Sequence, residues 1–236
     1  HRNVIHNLST LSTLWLALNL PPCYNTRMIN TTTTIGTRNI LAVYSLASKG
    51  EEVEGREWYT RANRVAASIA SEHGITTNKA AAVIAALSPS NRWERNMVDA
   101  ENLVRAFTIG GRSEAENVKC ATYGKMKDKA IRILENKTGG DDFATILKGQ
   151  KITAFYHCIM GACDTVCVDG HAYCIWFGDR MVLADVPNIG KRMYAEITSD
   201  YVEAARILTE AGTPMTCYEL QAVTWVAWRR LHGVTK

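Results

Sequence analysis

Apolar residues recur at helical spacing along nearly the whole chain, and that period most narrows the folds open to it. Side chains three or four positions apart share one face of a helix, whereas a half-buried strand needs strict alternation. Ala62, Val65, Ala66, Ile69 and Ala70 mark one face of a helix over about 57–73, which His73-Gly74 ends. The next, over about 78–87, is almost wholly Ala, Val, Ile and Leu, so it is expected to be buried on most sides until Pro89 stops it. Trp93, Met97, Ala100, Val104 and Phe107 stripe a third, closed by Gly110-Gly111. Met126, Ala130 and Ile133 form the buried side of a basic stretch, 119–137, that holds Lys119, Lys125, Lys127, Lys129, Arg132 and Lys137.

Beyond it, Asp141 or Asp142 is placed to cap a short helix through Leu147. A tight Lys148-Gly149-Gln150 link then leads into a helix carrying Ile152, Phe155 and Ile159. Val166–Val168 alternates briefly before Asp169, which is placed to cap a helix running to about Phe177. Ser199 or Asp200 is expected to open a further helix with Val202, Ala205 and Leu208, and Thr216 with Glu219 forms a capping box before Leu220–Leu231. There is no repeat and no strand framework, so the expected class is all-α.

Composition bounds the rest. A chain of 236 residues with 47% apolar and 21% charged residues reads as globular, and disorder is excluded for most of it. The net charge of +4 permits a nucleic-acid partner without demanding one. Arg2 and Arg27 supply part of it, within an acid-free segment, 1–27, read here as a non-native or disordered extension ahead of Met28. Leu11–Leu20 is too short to span a bilayer and lacks a cleavage site, so no membrane association is expected. Seven cysteines without a CxxC pair suggest a reduced, cytoplasmic protein. Cys158, Cys163, Cys167 and Cys174, with His157 and His171 nearby, follow no zinc spacing and are expected as core residues.

Lys151, at a helix start after a glycine-containing link, and Asp169, 18 positions later at another helix start, stand out. Thr145–Lys151 reads T-I-L-K-G-Q-K and Val168–His171 reads V-D-G-H. This layout resembles the helix-hairpin-helix (HhH-GPD) DNA glycosylase superfamily, endonuclease III-like branch, whose hairpin L-P-G-V-G-R-K precedes V-D-T-H. Ala86–Asn96, A-L-S-P-S-N-R-W-E-R-N, looks like that superfamily's L-S-x-Q-T segment. Together with Leu220–Arg230, L-Q-A-V-T-W-V-A-W-R-R, these blocks are similar to little-characterised phage and bacterial relatives. Departures are Leu147 for the first hairpin glycine, Gly170 for threonine, and no four-cysteine iron–sulfur loop.

The resemblance implies a two-lobed helical bundle over 28–236, with a hairpin at 141–161 and an active-site cleft between the lobes. It implies a DNA glycosylase-like enzyme that cleaves the N-glycosidic bond of a damaged or modified base, with or without AP lyase activity. Asp169 would stabilise positive charge on the sugar or activate the attacking group. Lys151 would act as amine nucleophile, provided burial and neighbouring cations lower its pKa. Lys148, Gly149, Gln150, Ser90, Asn91, Arg92, Lys125 and Lys127 would contact DNA, and Trp93 and His171 would line or support the base pocket. No metal or cofactor is implied; the expected partner is double-stranded DNA with a flipped base, and the expected state a monomer in a bacterial or phage-infected cell. A base-hypermodifying or base-exchanging enzyme and a non-catalytic DNA-binding module remain as alternatives. Each residue also has a plain role: Asp169 as a cap, Lys151 as a solvated lysine, Trp93 as a packing aromatic, the basic stretch as a solvated face.

Overall fold

The computed structural model describes residues 33–137 and 143–234. Among them the chain is all-α, with ten helices and no strand. The leading segment with Leu11–Leu20, and Asp141 and Asp142 as caps, lie outside the described residues. The helices are α1 (Ile35–Ser45), α2 (Lys49–His73), α3 (Thr77–Leu87), α4 (Trp93–Asn117), α5 (Gly124–Glu135), α6 (Phe143–Leu147), α7 (Gln150–Ile159), α8 (Gly170–Phe177), α9 (Lys191–Glu210) and α10 (Cys217–Leu231). They form two compact units. Of the described residues, one contains 33–56 and 168–234; the other lies within Glu57–Cys167.

The Glu57–Cys167 unit is built around α3. Ala80 through Leu87 are buried without interruption, and α4, α5, α6 and α7 all pack on that helix. A run of small and branched apolar residues with no charged face allows helices to approach from every side, as its composition implies. Polar order in this unit comes from Asp99, which is fully buried. It accepts from Arg95 Nε at 2.7 Å, Asn91 Nδ2 at 3.1 Å and the Ala121 backbone N–H at 2.7 Å. Three donors on three segments satisfy a carboxylate whose burial alone would be costly.

In the other unit the corresponding centre is Asp200, on α9. It accepts from Thr34 Oγ1 at 2.7 Å, Thr37 Oγ1 at 3.1 Å and Trp176 Nε1 at 2.6 Å, so α1, α8 and α9 meet on one side chain. Thr34 also caps α1 by accepting from the Thr37 N–H. The approach is close because position 36 is glycine: a Cβ there would lie 2.1 Å from Trp176 Nε1 and 2.4 Å from Asp200 Oδ2. Thr216 and Glu219 form the expected capping box at the start of α10.

Several expectations are corrected. The helix expected from about residue 57 starts at Lys49, because Ser48 and Glu51 make a reciprocal pair of bonds at its N-terminus. Gly110-Gly111 breaks the helical backbone of α4 as expected, with Gly111 at φ 66°, but the chain is helical again directly beyond it, to Asn117. Neither Ser199 nor Asp200 opens a helix; α9 begins at Lys191, and Asp200 lies inside it, drawn into the core by the three donors above. Cys163 is exposed, whereas Cys158, Cys167 and Cys174 are buried as expected.

Gly36→Ala is expected to destabilise the fold by about 1–3 kcal/mol, since no flexible neighbour clears the space. Gly50→Ala, where the nearest atom to an added Cβ is 4.0 Å away, serves as the control and should be neutral or slightly stabilising in urea denaturation.

Candidate functional site

In the Glu57–Cys167 unit, α6 and α7 are joined by Lys148 and Gly149 alone. Lys148 holds a left-handed backbone at φ 52° although it is not glycine, and its side chain is exposed. Leu147, where the superfamily hairpin carries glycine, is fully buried, so the departure serves the core. Its carbonyl accepts a hydrogen bond from Lys129 Nζ, which ties the turn to α5. Gly149 precedes α7 without any side-chain cap, so the first N–H groups of that helix are open to an external acceptor. Gln150 and Lys151, its first two residues, are exposed. The burial required of Lys151 by the lyase expectation is therefore not met. The lysine that burial does affect is Lys129, whose pKa is lowered first by desolvation and then by Lys125, Lys148 and Arg132.

The 88–92 segment forms a turn between α3 and α4, stapled to the residues before α5. Thr122 Oγ1 donates to Pro89 O at 2.7 Å, and Ser90 Oγ donates to Tyr123 Oη at 2.9 Å. Ser90, like Lys148, has a positive φ, 57°. Asn91 is held by Asp99 and keeps its Oδ1 buried without a partner, while Arg92 is exposed. Trp93 is half-buried, with its ring centroid 5.4 Å from that of Trp58 and 6.4 Å from that of Phe155, a packing role inside this unit. Tyr123, exposed beside this turn, has no pattern in the sequence that would single it out.

The basic stretch divides by function. Arg112 pairs with Glu116, Asp128 and Glu135, so acids of this region are neutralised by a residue outside 119–137. Lys127 donates to the carbonyls of Glu116 at 2.6 Å and Val118 at 2.9 Å, which satisfies the end of α4 and occupies the ammonium. Lys125 is exposed with no such bond and, with Arg132 and Lys148, acts on Lys129. These cations surround one side of the α6–α7 turn.

In the other unit, Asp169 caps α8 through Oδ1, which accepts from the Ala172 N–H at 2.8 Å. Its second oxygen, Oδ2, accepts from Trp225 Nε1 at 3.2 Å. Two donors, one of them 56 positions away in sequence, hold one half-buried carboxylate in a single orientation. The backbone just before it is held too, since the Val168 N–H donates to Tyr194 Oη at 3.1 Å. Gly170 leaves the space that Leu183 occupies, 2.7 Å from where a Cβ would stand, and this accounts for the missing threonine. His171 is half-buried and meets Trp225 edge-on at 6.4 Å, and the Arg229 guanidinium lies 4.4 Å over the same indole ring. The sequence reads Trp225 chiefly as a packing aromatic, with contact to DNA or a base as the lesser alternative; its bond to Asp169 is what the structure adds. Nothing local pairs it with Asp169; its place in the Leu220–Arg230 block was the only signal.

The cysteine and histidine residues around 157–174 do not assemble a ligand set among the described residues. Burial pushes the Cys120 thiol up to about 11, with Asp99 adding to the effect, and raises Cys174 as well, which keeps both in the thiol form. A different trio, Glu72, His73 and Glu101, brings three ligand atoms within 4.8 Å, with both glutamates exposed.

His232, after α10, has its pKa lowered first by burial and then by Arg180 and His171, against an opposing pull from Asp179. The folded protein therefore binds fewer protons here than the unfolded chain between the lowered value and 6.5. The destabilisation is complete below the folded value and disappears as pH rises above that of the unfolded chain. An NMR titration of the His232 imidazole should show a midpoint below 6.5, moving upward in Arg180→Gln.

The comparison with curated proteins and the comparison with solved structures each returned no match. A family profile spans residues 24–232. On that span the chain belongs to the family of unknown function DUF7178.

Proposed function

We propose that this chain is a DNA glycosylase-like enzyme that cleaves the N-glycosidic bond of a damaged or modified base. The observation that carries the reading is Asp169, held by the Ala172 N–H on one oxygen and by Trp225 Nε1 on the other. A cap needs only the first bond. The second fixes the carboxylate's orientation, which is what stabilising a developing oxocarbenium charge, or aiming a water at it, requires. The resemblance of V-D-G-H and T-I-L-K-G-Q-K to the superfamily's motifs adds the substrate class.

The α6–α7 turn supports the same reading from the backbone side. An uncapped helix N-terminus, with Lys125 and Lys148 exposed nearby, suits a DNA phosphate. Lys127 is left out of that role, because its ammonium already serves two carbonyls. Lys151, exposed at the start of α7, lacks the burial that a lyase amine needs, so the lyase branch of the proposal rests on the motif resemblance alone. A base-exchanging or hypermodifying activity would use the same carboxylate, and a non-catalytic module would use only the turn.

Borohydride trapping and base release on duplexes carrying a panel of damaged and modified bases separate these readings. Base release should fall by about two orders of magnitude or more in Asp169→Asn. Trp225→Phe keeps the ring but loses the donor, and should lower the rate by roughly tenfold with duplex affinity unchanged. A trapped adduct lost in Lys151→Ala establishes the lyase; base release without trapping leaves a water-activating enzyme. Duplex binding with neither product on any base rejects the enzyme. Lys148→Gly relieves a left-handed lysine worth about 1 kcal/mol, so it should keep or raise stability while weakening duplex binding regardless of sequence.

A further inference from the structure

Around Trp225, in the unit that holds Asp169, cationic side chains gather without an arginine–carboxylate pair among the described residues. Helices α8 and α10 pack against each other, and basic groups gather where they meet. Arg229 lies over the Trp225 indole, His171 meets its edge, and His232 packs on Trp228 with ring centroids 4.0 Å apart. His232 is close enough to Arg180 and His171 to be acted on by both. Among the described residues no carboxylate pairs with Arg229 or Arg180. The nearby acids, Asp169 and Asp179, bond to neutral N–H groups rather than to these cations. Asp169 has both oxygens bonded, to Ala172 and Trp225, and Asp179 accepts from the Arg180 backbone N–H at 2.7 Å.

The contrast with the adjoining residue matters. Arg230 is paired with Glu51 and also donates to the Leu46 carbonyl at 2.8 Å. Arg230 is therefore neutralised where Arg229 is not, although both occupy the last turn of α10. Favourable placement at a helix C-terminus accounts for either residue. It does not account for Arg229, Arg180 and two imidazoles sharing one neighbourhood. Guanidinium groups that form no ion pair among the described residues, set beside imidazoles, suit a phosphate oxyanion, which accepts several charge-assisted bonds at once.

We infer that Arg229 and Arg180, with His171 and His232, form a binding site for a phosphate group next to Asp169. The group is either a phosphate of the DNA backbone or a free phosphate ion taken up by the same cations. The inference rests on the reading above only for the importance of Asp169's surroundings, because phosphate binding is measured without turnover.

The test is NMR of the histidine side chains in the full chain, titrated with inorganic phosphate at constant ionic strength set by chloride. The His171 and His232 signals should shift saturably with phosphate and not with chloride. Arg180→Gln with Arg229→Gln should weaken the titration by about tenfold or more. Circular dichroism on that double variant confirms that it is folded. In a second arm, a short duplex that moves the same signals and competes with phosphate identifies the DNA backbone as the source; phosphate binding without competition identifies a free ion. Shifts equal in phosphate and chloride, or unchanged phosphate affinity in the double variant, overturn the site. A glycosylase that fails this test remains a glycosylase, and a phosphate site in a chain without base release remains a phosphate site.

Discussion

Each unit of this protein is organised by one buried carboxylate that collects donors from separate segments. Asp99 gathers Arg95, Asn91 and the backbone of Ala121. Asp200 gathers Thr34, Thr37 and Trp176. Apolar burial drives helices together without choosing their exact placement, since it is non-directional. A buried carboxylate has the opposite character: it tolerates only arrangements that supply its donors. The tilt and contact of α1 on α8 and α9 therefore depend on Asp200, and the turn between α3 and α4 depends on Asp99. Gly36 follows from the same constraint, because the indole and the carboxylate take the space of a side chain.

The same device reappears in weaker form at Asp169, and there it produces the candidate site. Asp169 does local work as the cap of α8 and long-range work as the acceptor for Trp225. A side chain committed to both is rigid, and rigidity is what an electrostatic catalyst contributes. Arg229 and His171, in contact with the Trp225 ring, lie on the same unit as Asp169. The α6–α7 turn follows a different logic. There the protein exposes backbone N–H groups and lysines and buries Leu147 beneath them.

Much of the fold was legible because helices announce themselves locally. The stripe Ala62 to Ala70, the apolar run in α3 and the Thr216–Glu219 box each act within a few residues. Reading stopped where a residue's partner was remote. Asp200 looks like a helix start until Thr34, Thr37 and Trp176 are placed around it. Gly110-Gly111 is legible as a break, but nothing in the pair says that the chain turns helical again directly beyond it. For the site, Asp169 was legible as a cap and as a motif residue, whereas Lys127 resembled its neighbours until its ammonium was found on two carbonyls.

The sequence by itself determined an all-α chain, the helix–turn–helix around Lys148 and the capping role of Asp169, since all three arise from spacing and local hydrogen bonding. Only the tertiary structure decided that Asp169 has a second donor in Trp225, that Lys151 is exposed and Lys129 is not, and that Arg230 pairs with Glu51 while Arg229 lies over the Trp225 ring. Those outcomes depend on which side chains meet across long stretches of chain. Such meetings are set by packing geometry and charge satisfaction, which no local pattern records.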